Sequence, residues 1–265
     1  MAKIVVENPF VAGLPSPQNA LDVFAGEWAS RFPAQDPALQ AGTVPLFEDP
    51  RVAWADGALR QLCGQGFADQ TVLELGPLEA GHTYALTQLG AKDVTAVEAN
   101  ARAYLKCLIA KEVLGIPRAR FLLGDALVYL RTTEQTFDLG LACAFLNHMI
   151  EPVEVIALLA RTCRRVFVWN VIYDESLFAK QPEMAPRFGP ARENDFGGFR
   201  HTLFPHYYGD GLDYRKFLGG AQPSCCWMKG ADIVAALRHF GFTSVISHEE
   251  DNPFGKAVSA VGVKV

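Results

Sequence analysis

The chain has 265 residues, 50% hydrophobic and 20% charged, with a formal net charge of −5. Such a chain is globular and long enough for one domain with insertions, or one domain plus a small lobe. The acidic balance excludes a broad basic surface for non-specific nucleic-acid binding, while leaving room for a local basic patch. The opening MAKIVVENPF is interrupted by Glu7 and Pro9 and lacks the hydrophobic length of an export signal or a membrane span. The six cysteines form no CxxC pair, and several lie in apolar runs. The expectation is a reduced, cytoplasmic protein in which the adjacent Cys225 and Cys226 are incidental rather than redox active.

Residues 1–18 read as irregular, punctuated by Pro9, Gly13, Pro15 and Pro17. A helix is expected over NALDVFAGEWASRF, capped by Asn19, with Leu21, Phe24, Trp28 and Phe32 on one face and Pro33 and Pro37 ending it. A second helix is expected from about Pro50 to Leu62, burying Trp54, Leu59 and Leu62. Residues 1–69 are thus read as a helical cap. From Gln70 the pattern alternates strand and helix: TVLELG, HTYALTQLG, VTAVEAN, ARAYLKCLIAKEVLG, ARFLLGDAL, VYLRTTEQ, FDLGLACAFLNHM, VEVIALLARTC and RRVFVWNVIY. In the long helix Leu105, Leu108, Ile109, Val113 and Leu114 fall at helical intervals, and Gly115 and Pro117 stop it. Such alternation argues for a mainly parallel sheet covered on both faces. Residues 174–226, rich in Pro, Gly and aromatics, break the rhythm and read as a lid or binding insertion. A helix over GADIVAALRHFGF and two strands, TSVISHEEDN and SAVGVKV, close the chain, the strands reading as antiparallel partners at a sheet edge.

Gly76 follows the first strand directly and Gly81 opens the next helix, so a ligand can approach the backbone between them. The dinucleotide pattern GxGxxG is absent: Pro77 removes an N–H donor and Glu79 adds a carboxylate, which suits a zwitterionic or cationic ligand better than a pyrophosphate. Glu74 is a carboxylate inside an apolar strand, costly to bury unless partnered. Glu98, ending the second strand, is placed to accept both hydroxyls of a ribose, or to face solvent as an ordinary strand-end acid. Asp125, after the third strand, can accept from an adenine amino group with Ala126 offering its N–H, or cap the following helix.

These motifs, Glu74 with Gly76 to Gly81, then Glu98, then Asp125, resemble the class I S-adenosylmethionine-dependent methyltransferases over roughly residues 70–170 and 228–265. The turn GPLEAG departs from the family's GxGxG, with one more residue between its outer glycines. The resemblance implies an α/β fold, a three-layer Rossmann-like sheet that is mostly parallel with an antiparallel C-terminal strand, over residues 70–265. It implies S-adenosyl-L-methionine as cofactor, held by Glu74, Gly76, Pro77, Glu79, Gly81, Glu98, Ala99, Asp125, Ala126 and Phe145. It also implies methyl transfer, to a small-molecule or sugar-type acceptor on the present reading. Acidic charge argues mildly against nucleic acid, although family members acting on tRNA can be acidic too.

A hydroxyl acceptor needs a base, and a neutral histidine serves near pH 7. His148, just past the fourth strand, is the first candidate; Tyr173, His201, His206, Tyr207 and Tyr208 follow. Asp174 and Glu175 either bind a polar substrate or cap the insertion. No HxxxH, HExxH or zinc-type Cys/His spacing occurs, so no metal is expected. The oligomer is expected to be a monomer or homodimer. The competing readings are an NAD-dependent oxidoreductase, which the missing GxGxxG disfavours, a non-catalytic cofactor-binding partner protein, and a tRNA methyltransferase.

Overall fold

The computed structural model describes residues 10–33, 39–212 and 220–264. Residues 1–9 of the irregular N-terminal stretch, Pro37 and residues 213–219 of the insertion lie outside them. Seven strands form the main sheet: β1 (Thr71–Leu75), β2 (Asp93–Glu98), β3 (Ala119–Leu123), β4 (Phe137–Cys143), β5 (Cys163–Val171), β9 (Ser244–Asn252) and β10 (Gly255–Val263), in the order β3-β2-β1-β4-β5-β10-β9. The five strands from β3 to β5 are parallel, and β10 pairs antiparallel with both β5 and β9. Helices α3 (Gly81–Gln88), α4 (Ala101–Leu114), α5 (Ala126–Thr132) and α6 (Pro152–Thr162) make the parallel crossovers, and α8 (Gly230–His239) precedes β9. The strand order reverses between β1 and β4, so a crevice opens at their C-terminal ends, the usual ligand position in such sheets.

Period-two alternation assigns each strand residue to a face. Leu73, Leu75, Val166 and Val168 pack with α5, α6 and α8, while Val72, Leu139, Leu141 and Phe167 pack under α2 (Pro50–Cys63). Glu74, Cys143 and Trp169 share the parity of this second face and sit toward its crevice end. Each fully buried Leu or Phe contributes about 1.5–3 kcal/mol.

The N-terminal helix is shorter than its sequence pattern suggests. α1 spans Pro17–Asp22 and is capped by Ser16, not Asn19; the chain then turns, with Gly26 at φ +77°. Leu21, Phe24, Trp28 and Phe32 are nevertheless all buried. Phe24, Trp28 and Phe32 form an aromatic chain through Phe47 to Tyr84 of α3, with neighbouring ring centroids 4.9–6.3 Å apart. The burial was periodic without the backbone being helical. In α4 the expected apolar face is reversed in part: Leu105 is 47% exposed, while Ala103, Cys107, Ala110 and Lys106 point inward. The cause is an ion pair described below.

The insertion contains structure that its composition does not announce. α7 (Ser176–Lys180) is followed by a three-stranded antiparallel sheet of β6 (Arg192–Phe196), β7 (Phe199–Tyr207) and β8 (Ser224–Trp227). Two backbone bonds tie it to the core: Cys226 N–H donates to the Met149 carbonyl at 2.8 Å and Tyr173 N–H to the Met228 carbonyl at 2.8 Å. Cys225 and Cys226 lie buried on β8 as free thiols, and burial pushes the Cys225 thiol up to about 12. Among the described residues no helix is long and apolar enough to cross a membrane.

Candidate active site

The turn from Gly76 to Gly81 carries three left-handed residues, Gly76 at φ +68°, Leu78 at +57° and Ala80 at +66°. For Leu and Ala this conformation costs roughly 1–2 kcal/mol per residue, so the surroundings must hold it. They do so on both sides. The Gly76 N–H donates to the Val97 carbonyl at 3.0 Å, and the Phe145 ring lies where a side chain on Gly76 would begin, 3.2 Å from that position. Phe145 and Gly76, distant in sequence, are therefore packed together. Gly81 admits a close neighbour as expected, but the neighbour is Leu46, whose carbonyl oxygen lies 2.7 Å from where a Cβ on Gly81 would stand.

Glu79 also differs from its expected role as a cofactor contact. Its carboxylate is buried and accepts from Lys106 Nζ at 2.9 Å, from the Ser30 N–H at 2.7 Å and from the Ala29 N–H at 3.1 Å. Lys106 is only 2% exposed. A buried acid so fully used by the protein is a strut pinning residues 27–30 to the turn. It also explains the inverted α4 face.

Glu74 is fully buried. Thr83 Oγ1 donates to its Oε2 at 2.5 Å, while its Oε1 has no hydrogen-bond partner. Burial raises its pKa, with the His82 charge and Thr83 acting in the opposite direction. Glu98, at the end of β2, accepts from the Leu78 N–H at 3.1 Å and the Asn100 N–H at 2.8 Å. Burial raises its pKa as well, opposed by the N–H groups of Asn100, Leu78 and Ala99. Asp125 caps α5, its Oδ1 accepting from Leu127 and Val128 N–H groups at 2.7 and 3.1 Å. Ala126 is buried at the first helical position, and Pro77 is buried in the turn.

Past β4, Ala144 at φ +52° turns the chain into a short 3-10 segment, Leu146–His148. His148 Nδ1 lies 2.7 Å from Tyr208 Oη, and Asn147 Nδ2 donates to its Nε2 across 3.3 Å. That arrangement assigns the ring proton to Nδ1. His206, which stands edge-on to Tyr208 at 5.3 Å, is buried with its Nε2 unpartnered. Burial lowers both histidines to about 4, the neighbouring His206 adding to the effect at His148 and Arg187 to that at His206, so both are neutral at pH 7.

The other candidates lie elsewhere. His201 is five residues up β7 from His206, roughly 17 Å along a strand. Its ring nitrogens face the Phe199 carbonyl at 3.0 Å and Asn194 at 3.4 Å, so it serves the second sheet and is not joined to His148. Tyr173 stacks on Phe204 with centroids 3.6 Å apart, and Tyr207 is exposed. Asp174 accepts from the Ser176 N–H at 2.9 Å and pairs with Lys256 at 3.1 Å.

A further group escaped the sequence reading. One ligand-capable atom from each of Asp49, His82 and Cys143 lies within 4.8 Å of the others. The absence of metal-type spacing does not bear on such a group, because its members come from three separate segments.

No family model and no curated protein sequence matches the chain. Similarity to solved structures is extensive. The N-terminal domain of EvdMO1, crystallised with SAH and D-fucose, superposes with a TM-score of 0.69 at 17% identity, covering 94% of this chain and 95% of that one. Magnesium protoporphyrin IX methyltransferase (ChlM) from Synechocystis PCC 6803, solved with bound SAH, gives 0.56 at 16% identity, covering 85% and 90%. The [4+2]-cyclase SpnF gives 0.52 at 12% identity, covering 79% and 80%. At these identities the likeness speaks for the fold: a three-layer Rossmann-like architecture with a mostly parallel sheet and antiparallel edge strands. The chain has the class I S-adenosylmethionine-dependent methyltransferase fold.

Proposed function

We propose that this chain is an S-adenosylmethionine-dependent methyltransferase acting on a hydroxyl of a small, sugar-type acceptor. The observation that carries the reading is a set of buried polar atoms without partners, Glu74 Oε1, Asn147 Oδ1 and His206 Nε2, on elements that border the crevice end of the parallel strands. Unpaired buried acceptors of this kind cost about 1–3 kcal/mol each, and a bound ligand relieves them.

The donor set suits the cofactor. Glu98 would hold the ribose, Asp125 and Ala126 would meet the adenine, and the Gly76 turn with Glu74 would hold the amino-acid end. When bound, S-adenosylmethionine supplies a methyl group on a positively charged sulfur. The remaining work falls to this chain. Phe145 and the 76–81 turn close the apolar side and exclude water. His148, neutral and with Nε2 unprotonated, takes the acceptor proton; the acceptor hydroxyl replaces the long bond from Asn147. Tyr208 holds Nδ1 and so keeps the tautomer and ring orientation. D-fucose in the EvdMO1 crystals supports a sugar-type acceptor.

Calorimetry with S-adenosylmethionine, S-adenosylhomocysteine and NAD tests the cofactor; binding of NAD alone overturns the reading. Transfer of labelled methyl from the cofactor to a panel of free and nucleotide-linked deoxysugars, with tRNA alongside, tests the acceptor. Label in tRNA only would remove the small-molecule assignment. Because the cyclase SpnF shares the fold, methyl transfer itself is the required readout, not binding.

A further inference from the structure

Residues from separate segments meet on the sheet face that carries Glu74. Asp49, the N-cap of α2, accepts from His82 of α3 at 2.8 Å between Nε2 and Oδ2. The same carboxylate takes Arg51 Nε at 2.8 and 2.9 Å and a further guanidinium bond at Oδ2. The Arg51 guanidinium lies 3.9 Å over the Trp169 ring, whose indole N–H donates to Glu250 at 2.6 Å. A ring nitrogen of His82 also lies within 4.8 Å of the sulfur of Cys143, the last residue of β4. The result is a Cys–His–Asp row, fixed from behind by an arginine that cannot deprotonate.

The electrostatics follow from this geometry. Burial opposes a charge on His82, but the Cys143 sulfur and the Asp49 carboxylate outweigh it and raise its pKa well above the ordinary value. Burial likewise opposes ionisation of Asp49, and the bonds from His82 and Arg51 overcome it, holding the carboxyl well below the usual range. Glu74, across the same face, adds a second acid that senses His82. A metal ion fits the row poorly. It would compete for the Asp49 Oδ2 that already serves His82 and Arg51, and would stand beside a guanidinium. A thiolate suits it well, because imidazolium against thiolate is the pairing that activates cysteines.

We infer that Cys143 is a hydroperoxide-reactive thiol, with His82 and Asp49 as its positioning pair. Cys143 is 8% exposed and is followed by Ala144 at φ +52° and then by Phe145, which lies on Gly76. It is therefore at the crevice margin. In the step, the Cys143 thiolate attacks one peroxide oxygen, an S–O bond forms and the O–O bond breaks. The sulfur is oxidised to sulfenic acid, the second oxygen leaves with the electron pair, and His82 donates the proton that makes it water or an alcohol.

The test is chemical and independent of methyl transfer. Alkylation of the wild-type protein by limiting iodoacetamide is followed at each cysteine by peptide mass at pH 7. Cys143, although buried, is expected to react at least about tenfold faster than the exposed Cys63. After one equivalent of hydrogen peroxide at pH 7, dimedone should tag Cys143 ahead of the other cysteines. In His82→Gln the alkylation should slow to the rate of Cys63 or below and the tag should be lost. A Cys143 no faster than Cys63 in the wild type, or a tag confined to Cys63, overturns the inference. So does a stoichiometric metal in the purified protein that is lost in Cys143→Ser, which would make the row a metal site.

Discussion

On the β1–β3 side of the crevice, the acids proposed to meet the cofactor are held by near neighbours. Glu98 bonds to Asn100 and to Leu78, which lies on the adjacent strand's turn, and Asp125 caps its own helix. Past β4 the contacts are long-range: His148 meets Tyr208, 60 residues away, on the insertion. The first bank is preorganised by its own backbone, whereas the second exists only once the small sheet has docked. Cofactor affinity and acceptor chemistry should therefore respond to different perturbations.

The largest effect should come from the strut under the first bank. Lys106→Met leaves Glu79 buried without its cation and should cost about 3–5 kcal/mol in urea unfolding. Adding Glu79→Gln should recover much of that loss; no recovery would show that the ion pair is not what holds the turn. Next, Glu98→Ala should weaken S-adenosylhomocysteine binding about a hundredfold, equivalent to roughly 3 kcal/mol, with the fold retained. Unchanged affinity in calorimetry would remove Glu98 from the site.

The second bank should show itself through pH. His148 and His206 have folded-state values of about 4 against an ordinary 6.5, so the unfolded chain binds more protons between those limits. Their contribution to stability is complete above pH 6.5 and declines as pH falls toward 4. The urea midpoint should drop between pH 7 and pH 5, and the His148→Gln, His206→Gln double variant should lose that part of the slope. The smallest effect is expected at His201→Asn, which should leave kcat within about twofold because the ring serves only the second sheet. A large loss of kcat without loss of stability would return His201 to the acceptor site.

The sheet was legible because apolar strands and helical spacing are local signals: Thr71–Leu75, Asp93–Glu98 and Phe137–Cys143 stand where the pattern puts them. Glu98 and Asp125 were legible for the same reason, being strand-end acids in a repeating unit. Glu79 was misread because a carboxylate in a glycine turn looks alike whether a ligand or a distant lysine neutralises it. The three-stranded sheet of the insertion was hidden by its Pro and Gly content.

By itself the sequence determined the parallel core, the crevice and the acids at its rim, since each depends on residues within a few positions of one another. Only the tertiary structure decided which buried charges are paired, that Phe145 covers Gly76, that His148 and not His201 meets Tyr208, and that Asp49, His82 and Cys143 come together. Those outcomes depend on chain segments brought together by burial of the shared core, and no local spacing encodes a contact that only the packed sheet creates.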